Sequence, residues 1–201
     1  MNSQEINKIQ VAVYQKEKGN NIYCGDSYFY TETEDFFICA IADGLGSGQF
    51  AQESSMVVIN TIKENIHLSN DMLIKICRKR LLGHRGVVLG ILKIDFKKQE
   101  YTYLSIGNIG LMTLKADQEK RRYIPSTGYL PHFKRSYKEF KDELQRSMTF
   151  FMFSDGMGDD ELSSNIFMIS NVDQIIKTFE KYHQEPRDDD TTLIAIRYEG
   201  Y

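Results

Sequence analysis

The chain of 201 residues has little of several things, and each shortage excludes a class. Three prolines exclude a collagen-like chain or a Pro-rich linker. Cys24, Cys39 and Cys77 are odd in number and lack C-x-x-C spacing, so they form no disulfide framework or zinc knuckle. Neither charge sign dominates: 25 Lys+Arg against 28 Asp+Glu leave a net charge of −3. No basic excess points to nucleic acid. The strongest apolar stretches, such as Phe36 to Ala42, fall far short of the ~20 residues of a membrane span. The opening Met1-Asn2-Ser3-Gln4-Glu5 has no basic start followed by an apolar run, so it does not read as a signal peptide. His67, His84, His132 and His183 show no ligand spacing. There is no Gly-Lys-Ser/Thr, hence no P-loop. What is present is 41% hydrophobic residues and 12% aromatics, which argues for a folded core. At this mass roughly 70% of the unfolded surface is buried, with about 10,000 Å² left exposed. The expectation is one cytoplasmic domain spanning residues 1–201, with reduced thiols and no separate regulatory domain.

Short β-branched and aromatic runs predict strands at 9–14, 27–31, 86–95, 100–106, 110–115 and 121–124. Phe36–Ala42 and Met148–Ser154 are continuously apolar, as strands buried on both faces would be. Thr191–Tyr198 alternates Leu193, Ala195 and Arg197 against Ile194, Ile196 and Tyr198. Between these the period changes. Ala51, Ser55, Val58, Ile62 and Ile66 form a helical stripe over 49–67. A second helix starts at Ser69 or Asn70, presents Leu73, Ile76, Cys77 and Leu81 on one face, and ends near Gly83. A third covers Val172–Tyr182, and 126–136 reads as a loop. Strands in meanders with paired helices predict an α+β layered domain rather than alternating βαβ units.

The carboxylates fall at the strand ends. Asp26 precedes one strand; Asp43 and Asp155 end two buried ones; Asp189 and Asp190 precede the last. Asp43-Gly44 and Asp155-Gly156 share the Asp-Gly pair, in which glycine lets the chain turn sharply beside a ligand. A single Asp-Gly is most often only a turn. If several carboxylates converge, some must take up protons or cations must neutralise them. Oxygen ligands without nearby His or Cys suit Mg²⁺ or Mn²⁺, and a pair of such ions can drive phosphoester hydrolysis. The formal match of Gly46-x-Gly48-x-x-Ala51 to a dinucleotide fingerprint fails, because helix rather than a second parallel strand follows it.

The segments Gly25-Asp26-Ser27, Ala42-Asp43-Gly44-Leu45-Gly46-Ser47-Gly48, Ser154-Asp155-Gly156 and Asp189-Asp190-Thr191-Thr192 resemble, in order, the motifs of metal-dependent serine/threonine phosphatases of type 2C. Weaker features also fit: Arg85-Gly86-Val87-Val88, Ile106-Gly107-Asn108-Ile109-Gly110 and Ser126-Thr127-Gly128-Tyr129-Leu130. Within the family the chain is similar to the small stressosome phosphatases that oppose sigma-B activation. The resemblance implies a four-layer αββα sandwich of two antiparallel sheets flanked by helix pairs. It implies two ions, Mn²⁺ or Mg²⁺. Asp43 would bridge both, the Gly44 carbonyl and Asp43 would serve one, and Asp155 and Asp189 the other. Asp26 would reach the site through metal-bound water. Asp43, Asp155 and Asp189 would thus act catalytically through a metal-held hydroxide, with no covalent phosphoenzyme. The implied partners are phosphorylated stressosome scaffold and co-antagonist proteins, with no nucleic acid and no membrane.

The departures from the pattern are specific. Asn21 stands where larger members place an arginine five residues before the first Asp, so phosphate would be held mainly by the metals. Leu45 stands where a histidine follows the second motif's Asp-Gly. Asp159 matches one ligand of a third metal, but Asn108 occupies the other position. Arg78-Lys79-Arg80 reads as a solvated helix end, whereas Lys134, Arg135 and Lys138 are candidates for substrate contact. Two alternatives remain open at this stage: a pseudo-phosphatase that binds phosphoproteins without hydrolysis, and a phosphatase of another phosphoprotein or a small ester.

Overall fold

The computed structural model describes residues 8–125, 127–131 and 137–200. It contains ten strands in two five-stranded sheets, every pair antiparallel. The strands are β1 (Ile9–Lys16), β2 (Asp26–Glu32), β3 (Phe36–Gly44), β4 (Val87–Asp95), β5 (Glu100–Ile106), β6 (Gly110–Leu114), β7 (Lys120–Tyr123), β8 (Glu139–Glu143), β9 (Thr149–Phe153) and β10 (Thr191–Tyr198). One sheet runs β1-β10-β9-β6-β7 and the other β2-β3-β4-β5-β8. The helices are α1 (Gln49–Glu64), α2 (Asn70–Arg80), the short α3 (Asp159–Leu162) and α4 (Val172–Tyr182), with a 3-10 turn at Asn165–Met168.

Period-two patterning builds the layers. In β3, Phe37, Cys39 and Ile41 enter the core between the sheets, while Ile38, Ala40 and Ala42 pack under α1 and α2. In β9 and β10, Phe150, Met152, Ile194 and Ile196 face the same central core, while Phe151, Phe153, Leu193 and Ala195 meet α4 and the 3-10 turn. Both strands are therefore apolar on two faces, as expected of sheets covered on both sides. Helix α4 buries Val172, Ile175, Ile176 and Phe179 in one stripe. The result is the αββα sandwich.

Some expectations shift. Helix α1 ends at Glu64, and Ile66 packs from the loop beyond it. In α2 Ile74 is buried beside Leu73 and Cys77, while Ile76 is half-buried. Asp26, Asp43 and Gly44 lie within the strands rather than beside them. Within the loop at 126–136, Leu130 forms a bridge with Val87. Ser126, His132, Lys134 and Arg135 lie outside the described residues.

The topology gathers the strand ends that matter. Asp26 and Asp43 are direct partners across the β2–β3 ladder. The end of β9 and the start of β10 are neighbours because Phe153 pairs with Leu193. Asp155 lies just beyond the first, and Asp189 and Asp190 just before the second.

Candidate active site

Asp26 is the buried centre of this end of the sandwich, 3% exposed. Its Oδ2 accepts two hydroxyls from the other sheet, Ser154 Oγ and Thr192 Oγ1, both at 2.7 Å. The Asp26 carbonyl accepts from Gln15 Nε2 at 3.2 Å, and that amide also donates to Thr192 Oγ1 at 3.1 Å. The other carboxylate oxygen, Oδ1, is buried and has no hydrogen-bond partner. A buried oxygen without a donor is costly, and a cation or its water would satisfy it.

The remaining carboxylates stand round Asp26 at graded depth. Asp43 is half-buried, Asp155 and Asp189 exposed, and Asp190 buried. Burial pushes the Asp43 carboxyl up to about 8, and the negative charges of Asp26, Asp155, Asp189 and Asp190 push the same way. Asp26 is raised to about 6, again chiefly by burial and despite its two hydroxyl donors. Asp155 is raised by burial and by Asp189, while Asn108 and Lys18 pull it down. Like charges are thus brought together without full compensation. Among the described residues no three carboxylate, imidazole or thiol groups are closed round one point.

The backbone leaves room for nothing else here. A Cβ on Gly44 would stand 2.0 Å from the Ala51 carbonyl oxygen, where α1 begins. One on Gly156 would stand 2.3 Å from Thr191 Oγ1. Glycine after each aspartate is required by close packing, not only by a turn.

The structure therefore brings Asp26, Asp43, Asp155 and Asp189 to one end of the sheets. Asp159 is at the start of α3, 84% exposed, and pairs with Arg122 at 2.6 Å. Asn108 Nδ2 donates to Asp155 Oδ2. Several residues of the site escape sequence reasoning. Asp190 is the buried member of its pair, and its Oδ1 accepts from the Lys18 N–H at 3.0 Å. Lys18 Nζ lies 3.6 Å from Asp189 Oδ1, a cation beside the carboxylates in the segment where Asn21 replaces arginine. Ser154 and Thr192 carry a readable signal, hydroxyls flanking aspartates at buried strand ends; Asn108 lies in a motif but its contact with Asp155 does not show in sequence, and Lys18 carries no signal.

The comparisons with known proteins give the family and the fold. The sequence profile of Stage II sporulation protein E (SpoIIE) matches residues 34–199. The chain belongs to the SpoIIE family. Phosphoserine phosphatase RsbX of Bacillus subtilis (strain 168) is 30% identical over 192 residues, covering 96% of each chain. The crystal structure of RsbX in complex with magnesium superposes with a TM-score of 0.87, covering 96% of this chain and 97% of that one. The PP2C phosphatase domain of SpoIIE from Bacillus subtilis, in a structure that includes a fragment of its regulatory domain, gives a TM-score of 0.79 at 18% identity. That match covers 96% of this chain and 62% of that one. A chain described with the bacterial stressosome, a modular system adapted to control secondary messenger signalling, gives a TM-score of 0.83 at 20% identity. It covers 94% of this chain and 99% of the other. The SpoIIE-family chain thus has the PP2C-type fold predicted from its motifs.

Proposed function

We propose that this chain is a metal-dependent protein phosphatase acting on phosphoserine or phosphothreonine of stressosome scaffold and co-antagonist proteins. Removing those phosphates would damp the sigma-B general stress response. The observation that carries the reading is the uncompensated carboxylate cluster, with the orphaned Oδ1 of Asp26 at its floor. It lies in a chain 30% identical to a phosphoserine phosphatase whose crystal structure holds magnesium.

In this reading residues 1–201 act as one catalytic domain in the cytoplasm; no helix among the described residues is long and apolar enough to cross a membrane. Asp43, the Gly44 carbonyl, Asp155 and Asp189 would hold two ions, Mn²⁺ or Mg²⁺, with Asp26 reached through water. An all-oxygen donor set suits these hard cations. When bound, such ions polarise phosphoryl oxygens and make water a better nucleophile near neutral pH. The protein residues do the orienting. Ser154 and Thr192 fix one oxygen of Asp26 and leave the other free to accept. Asn108 holds one oxygen of Asp155. Leu45, 38% exposed, carries no proton to a leaving group, so protonation falls to water.

Phosphate release from phosphorylated stressosome proteins, with Mn²⁺, Mg²⁺ or chelator, tests the proposal. Metal-dependent release that Asp43→Asn abolishes is expected. Tight binding without release under any metal would instead indicate a pseudo-phosphatase. Release from small esters alone would keep the chemistry and remove the stress-pathway assignment.

A further inference from the structure

One arginine outside the carboxylate cluster ties together two of its sources of ligands, the loops after β9 and before β10. Arg187 has a side chain 12% exposed. Its Nη1 donates to Glu161 Oε1 at 2.6 Å and its Nη2 to Glu161 Oε2 at 3.1 Å. Nη2 also donates to the Gly156 carbonyl at 2.5 Å, and Nε to Thr191 Oγ1 at 3.1 Å. The Arg187 carbonyl accepts from the Gly19 N–H at 2.8 Å. Glu161, on α3 and 16% exposed, is itself fixed by the Gly158 N–H at 2.6 Å and lies 3.0 Å from His183 Nδ1.

The consequence is positional. Gly156 directly follows Asp155, and Asp189 lies two residues past Arg187. Thr191 Oγ1, which the fork holds, donates in turn to the Asp189 carbonyl at 2.9 Å. A planar guanidinium has a fixed donor geometry that a lysine ammonium cannot reproduce. A pair this shielded gains little net stability, because desolvating both charges offsets most of their attraction. Its cost is better understood as fixing geometry.

We propose that Arg187, held by Glu161, is a positioning residue that sets the spacing of Asp155 and Asp189 and thereby the affinity of the cation they share. This rests on the metal-site reading above. Neither Arg187 nor Glu161 belongs to the set of residues proposed to hold the ions. Residues that orient ligands commonly change metal affinity by about 10–100-fold when altered.

The test is calorimetric titration of Mn²⁺ into wild type, Arg187→Lys, Glu161→Gln and Asp155→Asn. It is paired with melting curves in chelator and with kcat and KM for a small phosphoester across Mn²⁺ concentrations. Arg187→Lys is expected to weaken Mn²⁺ binding by about tenfold or more, with kcat largely restored at saturating Mn²⁺. Glu161→Gln should show a smaller loss in the same direction, since the contacts to Gly156 and Thr191 remain; it decides the matter if Arg187→Lys does not fold. Variants that melt lower in chelator yet bind Mn²⁺ within twofold of wild type would make the pair merely structural and overturn the proposal. Wild type and Asp155→Asn binding Mn²⁺ alike is a different result: it removes the metal site itself, and the proposal with it.

Discussion

Asp43 shows how a residue proposed to hold the cations can destabilise the chain that lacks them. Burial first, and then the charges of Asp26, Asp155, Asp189 and Asp190, push its carboxyl up to about 8. Asp43 and Asp26 both keep their protons to higher pH in the folded chain than in the unfolded one. Between about pH 4 and pH 8 the folded state then binds more protons, so the metal-free protein loses stability as pH rises. The melting temperature in chelator should fall from pH 5 to pH 8, by several degrees for a loss of about 2 kcal/mol. Asp43→Asn should flatten that slope and melt higher at pH 8 while releasing no phosphate. A flat wild-type profile would contradict the crowding argument. Thr192→Val acts oppositely: it takes one of two donors from a buried carboxylate and should cost about 1–3 kcal/mol, read from denaturant unfolding. At this scale the sequence reveals which aspartates sit at strand ends, because apolar runs end at them. It does not reveal that Asp190 rather than Asp189 is buried, since both precede the same strand and only the loop geometry distinguishes them.

Elements were legible where their period was long. Helix α4 matches its expected span, because Val172, Ile175, Ile176 and Phe179 make an uninterrupted stripe. Its Asn171 caps the first turn by accepting from the Gln174 N–H at 2.9 Å. Asn171→Ala should therefore cost about 1 kcal/mol in thermal or denaturant unfolding and leave phosphate release unchanged. Strand β8 was not anticipated. Glu139–Glu143 is an edge strand of alternating exposed and half-buried residues, Glu-Phe-Lys-Asp-Glu, and its charges hide a strand that pairs only with β5. Helix α3 and the 3-10 turn, four residues each, are too short to show any period. Helix α3 carries Glu161, the partner of Arg187, which is why the clamp is invisible in sequence.

Among the described residues the two sheets and their helices form successive layers, with 10,824 Å² of accessible surface against the roughly 10,000 Å² that the chain's mass suggests. Its central core holds edge-to-face aromatic contacts between the sheets: the Phe150 and Tyr101 ring centroids lie 4.9 Å apart. Phe150→Ala should cost about 3–5 kcal/mol, enough to threaten folding outright. The opposite change comes from ligand. Saturating Mn²⁺ or Mg²⁺ should raise the melting temperature and chelator should reverse it, by about 2.7 kcal/mol at a hundred times the dissociation constant. No shift with either ion would remove the metal site.

The two sheets are joined at the site end by Asp26, a residue of one sheet that accepts hydroxyls from both Ser154 and Thr192 of the other. Loading of the cluster is therefore reported as breathing between the layers. Amide protons of β2 and β10 near this seam should exchange with deuterium more slowly when the cation is present, while those at the far end, around Asp95 and Glu100, keep their rates. The contrast turns the sandwich into its own gauge of occupancy, readable without any substrate.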